Sequence, residues 1–193
     1  LGLPEPAERQ RAFLGSLRSL GLFLFPIGAL TALCAGSIER VLLPPRWYGV
    51  APVVVGLCLG AMSQTVKRLA FAQLTALHRS RLAAVLEAGR LFTFLVAMAL
   101  VWRLDPAREH MPWVGWGVSL SFALSAAVSL FVCLRADGLP ASAGLRALLP
   151  PALGAAASAL CVLALQRGLG RLGLLPGAPR LALELAVGIG AYG

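Results

Sequence analysis

The stretch from Leu43 to Ser80, LPPRWYGVAPVVVGLCLGAMSQTVKRLAFAQLTALHRS, constrains the fold more than any other, because a helix of bilayer length there carries two adjacent cations. Its apolar part opens near Val50. At about 1.5 Å per residue roughly 20 residues cross the hydrocarbon layer, so the crossing is complete near Leu69. No helix breaker follows before His78. Counted at about 100° per residue from Ser63, Lys67 falls near 40°, Gln64 near 100°, Thr75 near 120° and Arg68 near 140°. Val66, Leu69, Ala70 and Leu77 lie on the other side, and Thr65 and Gln73 break the pattern. A polar sector on a membrane helix has to meet protein or water, since lipid cannot satisfy it. Each Lys or Arg facing lipid at mid-bilayer costs about 2.5 to 3.5 kcal/mol. Lys67 and Arg68 therefore either snorkel to the inner interface or line a cavity that receives an anion.

The rest of the chain reads as plain membrane helix. Hydrophobic residues make up 59% of it and charged residues 13%, with a mean hydropathy of +0.82, far from the balance of a soluble domain. The expected fold is an all-α, polytopic transmembrane bundle. A net charge of +9 could point to nucleic acid, but the cations sit between apolar runs and do not cluster with aromatics on one surface, which suits loops beside anionic lipid. Cys34, Cys58, Cys133 and Cys161 all fall inside apolar runs at spacings that make neither a metal set nor a disulfide framework. No metal, cofactor or catalytic residue is expected.

Residues 1–13 (LGLPEPAERQRAF) form a polar cytoplasmic lead-in, with Pro4 and Pro6 holding the chain extended. Four spans fill 14–134. The first, about Leu17 to Ser37, has Pro26 in its middle, where a kink is expected. Pro44 and Pro45 end the helix, and Trp47 and Tyr48 sit where an interface belt places them. Gly56 and Gly60 in the second span, spaced as small-xxx-small, allow a neighbouring helix close. A tight turn at His78, Arg79 and Ser80 leads to the third span, about Leu82 to Val101. It carries Glu87 and Arg90 three residues apart, within pairing distance on one face; the pair reads as structural, or as an ion pair lining a cavity. A loop from Trp102 to Pro112 precedes the fourth span, about Trp113 to Leu134.

Two further spans fill 135–193. Arg135 to Arg146 reads as a loop, Leu148 to Leu165 as a span with Pro150 and Pro151 in its first turn, and Gln166 to Arg180 as another loop. The last run, Leu181 to Gly193, gives about 20 Å of helix against a layer of about 30 Å, so the expectation is a piece of a longer transporter. Ten Lys and Arg fall on the side of residues 1–13, the His78 turn and the 135–146 loop, and seven on the other. The positive-inside rule puts the first side in the cytoplasm.

The order of features, PAERQRAF, then LFLFPIGALTAL, then ERVLLPPRWYGVAPVVVGLCLG, then a long polar-ended helix and LTALHRSRL, resembles the later part of bacterial polysaccharide flippases. These are the O-antigen and exopolysaccharide translocases of the multidrug/oligosaccharidyl-lipid/polysaccharide exporter superfamily. The final ELAVGIGAYG is similar to the start of their last helix. The family has Gly followed by Arg in its tight turn, where this chain has His78 and Arg79. It has a glycine and a basic residue before its tryptophan, where this chain has Pro44, Pro45 and Arg46.

The resemblance implies that the six spans are the ninth to fourteenth of a fourteen-helix fold in the bacterial inner membrane. It implies alternating-access transport of an oligosaccharide carried on a polyprenyl pyrophosphate, with membrane lipids and other polysaccharide-assembly membrane proteins as partners. The anionic headgroup would then meet Lys67, Arg68, Gln64 and Thr75. A drug or cation antiporter of the same superfamily would favour an acidic cavity, against which the cationic helix argues. A membrane glycosyltransferase, ligase or lipid phosphotransferase needs converging acids, bases or metal ligands, and only Glu87 and Glu184 of the carboxylates fall inside spans. A non-transporting anchor would have no use for a polar face in the membrane.

Overall fold

Apolar runs of this length, with no β-favouring alternation, can satisfy their backbone in lipid only as helices. The computed structural model describes residues 5–104, 111–172 and 178–192, and these are six α-helices and one short 3-10 turn, with no strand among them. The helices are α1 (Pro6–Leu42), α2 (Ala51–Ala76), α3 (Ser80–Leu104), α4 (Met111–Ala136), α5 (Ala141–Leu172) and α6 (Ala178–Gly190). The first five are long and apolar enough to cross a membrane, whereas α6 is too short. The described residues thus form an all-helical bundle with five candidate membrane spans and one shorter helix, as a multi-pass membrane protein would have.

Several boundaries differ from expectation for local reasons. Pro6 does not hold the chain extended. It is the first residue of α1, where its missing N–H costs nothing, and Glu8 in the same turn complements the positive helix end. Pro150 and Pro151 stand in the interior of α5, whose first turn begins at Ala141, so most of the expected 135–146 loop is helix. The expected 166–180 loop likewise begins as helix, to Leu172. Interior prolines survive in a membrane bundle when neighbours cover the disturbed turn. Here Pro151 is buried under α1 at Gly21, where a Cβ would lie 3.0 Å from its ring. The central positions of the expected 102–112 loop, with Asp105, Arg108, Glu109 and His110, lie outside the described residues.

Helix α4 packs on α2 through glycine. A Cβ at Gly56 would stand 2.7 Å from the backbone of Gly115, and Ser119 donates its hydroxyl to the Gly56 carbonyl. Backbone approach of this kind lets dispersion and short polar contacts replace a hydrophobic drive that lipid does not supply. Helix α1 lies against α2 on one side and α5 on the other, and α6 packs against α1 and α5. Helix α3 sits outermost against α4, touches α2 only lightly, and exposes Val85, Leu91, Phe92, Leu95 and Leu100 along its length.

Two turns at one end of the bundle share a design. Helix α2 ends with His78 N–H bonded to the Thr75 carbonyl and Arg79 N–H to the Leu74 carbonyl. Helix α4 ends with Gly138 N–H on the Arg135 carbonyl and Leu139 N–H on the Leu134 carbonyl. Both are Schellman caps, which need a left-handed residue at the bend. Gly138 supplies it at φ 76° and His78 at φ 56°. Beneath them, Phe13, Ala70, Leu74, Ala83, Cys133 and Leu134 form a buried cluster joining α1, α2, α3 and α4. At the opposite end the carboxylate of Glu39 accepts the N–H groups of Gly49 and Ala51, closing the loop that starts α2.

Candidate functional site

An ammonium on a membrane helix must find a counter-ion or reach water. Lys67 finds one. Its side chain is 5% exposed and its Nζ lies 2.5 Å from Glu87 Oε2 on α3. Arg90, one turn on from Glu87, holds the other oxygen, with its terminal nitrogen 2.5 Å and its Nε 2.7 Å from Oε1. Aromatic faces back both cations: Lys67 stands 5.0 Å from the Phe71 ring centre, and Arg90 5.3 Å from that of Phe122 on α4. Such contacts add electrostatic attraction without asking for water. Two cations thus share one carboxylate, which leaves a formal charge of +1.

Depth follows from helix length. Helix α2 is 26 residues, about 39 Å, so centred on a core of about 30 Å it overhangs each face by about 4 to 5 Å. Lys67 is nine residues from the Ala76 end, about 13 Å, and so lies about 9 Å inside the hydrocarbon. Glu87 and Arg90, counted the same way from Ser80, lie about 7 and 11 Å inside. Yet the Glu87 side chain is 42% exposed and that of Arg90 22%. The triad is buried at its lysine and open at its carboxylate.

Of the four residues expected to meet an anion together, the structure brings only Lys67 into this group. Arg68 is exposed on the next face of α2 and Gln64 is half-buried. Thr75 is exposed and donates to the Phe71 carbonyl of its own helix. The Glu87–Arg90 pair joins Lys67 across the gap between α2 and α3, a contact that spacing within one helix cannot reveal.

Two further buried polar pairings escaped the sequence reading, which placed Glu184 inside a span but gave neither it nor Asp137 a partner. The Asp137 carboxylate, fully buried, accepts from Arg9 of α1 at 2.7 Å and from the Gln73 amide of α2 at 2.8 Å. Gln10 donates to its backbone carbonyl. Gln73 falls outside the polar sector of α2 because it serves this second partner, and that mismatch was the available signal. Glu184 of α6 is fully buried and accepts from Ser37 of α1 at 2.9 Å.

Among the cations with described side chains, the three that are not exposed, Arg9, Lys67 and Arg90, are the three held in ion pairs. A cavity of about 490 Å³ lies elsewhere. It is an apolar groove lined by Leu59, Met62, Trp116, Leu120 and their neighbours, with Ser63 and Ser119 its polar members. No group of three or more His, Cys, Asp or Glu suited to a metal occurs among the described residues. Compared with protein-family models, with curated proteins and with solved structures, the chain matches none.

Proposed function

We propose that this chain forms the later helices of a bacterial inner-membrane flippase that carries polyprenyl-pyrophosphate-linked oligosaccharide by alternating access, with its helices taking the ninth to fourteenth places of a fourteen-helix fold. The observation that carries the reading is the Lys67–Glu87–Arg90 triad. A half-exposed carboxylate between two cations, 7 to 11 Å below the interface by the helix count above, cannot face acyl chains at reasonable cost. It calls for a hydrated chamber bounded by protein, and its surplus positive charge suits a diphosphate. In such a chamber a charge-assisted contact outweighs its counterpart in bulk water.

The triad favours a narrower contact set. Lys67 and Arg90 share its carboxylate, whereas Arg68 is exposed outside it and, at a similar depth on α2, reaches the interface by snorkelling. A cationic substrate would meet this surplus charge as repulsion, which keeps the drug-antiporter alternative second.

Cells that depend on the full-length protein for surface polysaccharide provide the test. Lys67→Gln is expected to lower export at least tenfold with membrane levels unchanged. Arg68→Gln and Thr75→Val are expected to export as the parent does. Normal export by Lys67→Gln at normal abundance removes the anion-site reading.

A further inference from the structure

Asp137 ties Arg9 of α1 to Gln73 of α2, and the same two helices leave a groove of about 480 Å³, within the range of small-molecule sites. Arg9 and Gln73 both line it, together with Glu8, and Phe13 and Leu69 wall the rest as far as Ser16. Its depth follows from helix length, as for the triad. Gln73 is three residues from the Ala76 end of α2, about 4.5 Å, which puts it at the edge of the hydrocarbon, and Leu69 lies about 6 Å below that edge. Arg9 stands level with Gln73, since both reach one carboxylate. Ser16, seven residues further along α1, lies about 10 Å deeper. The groove is thus charged at the membrane boundary and mostly apolar beneath it, the profile of an amphiphile with its headgroup outermost.

We infer that this groove seats one phospholipid whose headgroup carries both a phosphate and a primary ammonium, of the phosphatidylethanolamine type. The inference does not rest on the transport reading. A guanidinium offers several N–H donors in a fixed fork. Asp137 accepts from Nη2 of Arg9, whereas Nε is buried with no acceptor, and the donors left over suit the oxygens of a phosphate. Glu8 is exposed and sets the sign of the groove. Arg9 and Asp137 cancel as an ion pair, so the Glu8 carboxylate leaves a formal charge of −1. That charge calls for a cation beside the phosphate and repels a headgroup that is only anionic. Glu5, about 40° from Arg9 round α1, adds to it, while Arg11 and Arg18 lie about 160° and 180° away. Arg68 is about 140° round α2 from Gln73. A primary ammonium also donates hydrogen bonds to a carboxylate, which a trimethylated one cannot.

Native mass spectrometry of the full-length protein in detergent, with dioleoyl phosphatidylethanolamine, dioleoyl phosphatidylglycerol and dioleoyl phosphatidylcholine supplied at equal concentration, provides the test. One phosphatidylethanolamine is expected to bind more tightly than either of the others, by roughly tenfold. Glu8→Gln should erase that preference and Glu8→Asp should keep it. Ala12→Leu, which fills the groove from its α1 wall, should remove the bound lipid altogether. Glu8 and Ala12 are exposed, so these variants leave the buried contacts of the fold in place. Equal binding of the three lipids, or a preference that both Glu8→Gln and Ala12→Leu leave intact, overturns the site and marks the lipid as part of the general annulus. Preference for phosphatidylglycerol overturns the zwitterionic assignment and the proposal with it. Displacement of the bound lipid by an equal concentration of free phosphoethanolamine would overturn a lipid as the ligand, because the apolar half of the groove would then contribute nothing. None of these outcomes bears on the anion site at the triad, which export by Lys67→Gln tests separately.

Discussion

At the scale of single residues, the molecule treats buried charge by one rule: a cation withdrawn from water is matched to a carboxylate on another turn or another helix. Asp137 does this for Arg9, and Glu87 does it for Lys67 and Arg90. Removing one side of such a match is costly because the remaining charge stays behind without compensation. Glu87→Leu leaves two cations facing each other. For a fully buried pair the loss would be about 3 to 5 kcal/mol; the exposure of Glu87 reduces the expected loss to about 2 kcal/mol. Adding Lys67→Met to Glu87→Leu should recover part of that loss, since Lys67 and Glu87 are then replaced by apolar groups of similar bulk while Arg90, 22% exposed, is left without its carboxylate. Unfolding of the two single variants and the double variant in detergent measures the coupling. Simple additivity of the two effects would show that Lys67 and Glu87 do not depend on each other in the folded protein.

At the scale of helices, close approach and clean termination decide where each element sits. Gly56 and Gly115 set the α2–α4 contact, and the Schellman caps at His78 and Gly138 set where α2 and α4 stop. The two caps make the same pair of hydrogen bonds, yet only one of them has glycine at the left-handed bend. A side chain there costs about 1 to 2 kcal/mol relative to a relaxed backbone, part of which glycine loses again in unfolded-state entropy. His78 is exposed, so its replacement removes no buried contact. His78→Gly should therefore raise stability by about 1 kcal/mol, read as a higher midpoint for thermal unfolding in detergent. Gly138→Ala should lower it by a similar amount. A fall in stability for His78→Gly would mean that the imidazole makes a contribution the cap geometry does not account for.

At the scale of the whole bundle, what the sequence disclosed and what it hid divide along one physical line. Span positions were legible, as 82–101 against Ser80–Leu104 shows, because apolar length is a property of the chain alone. So was the value of Gly56 and Gly60, since small residues mark a contact face whatever the partner. The Lys67–Glu87 and Gln73–Asp137 pairings were not, because each depends on how one helix is rotated against another, and packing decides that. The interior place of Pro150 and Pro151 was hidden for the same reason: the room for Pro151 is provided by Gly21 on α1. Orientation in the membrane is where the two kinds of information meet. Once the ion-paired cations are set aside, the exposed ones with described side chains number seven at the end holding the His78 and Gly138 turns (Arg11, Arg18, Arg68, Arg79, Arg81, Arg135, Arg146). Four lie at the other end (Arg40, Arg46, Arg103, Arg167). Exposed charge is what an anionic leaflet and the insertion machinery meet, so the bias predicts the seven-cation end on the cytoplasmic side. In a chain with Cys34, Cys58, Cys133 and Cys161 replaced by Ala, single cysteines at Tyr48, Arg79 and Ala141, all exposed positions, report the outcome. A membrane-impermeant maleimide added to spheroplasts should label Tyr48→Cys directly, and Arg79→Cys and Ala141→Cys only after permeabilisation. The reverse pattern would invert the bundle, and labelling of Arg79→Cys and Ala141→Cys from opposite sides would break the antiparallel order of α3 to α5 on which the placement of the triad depends.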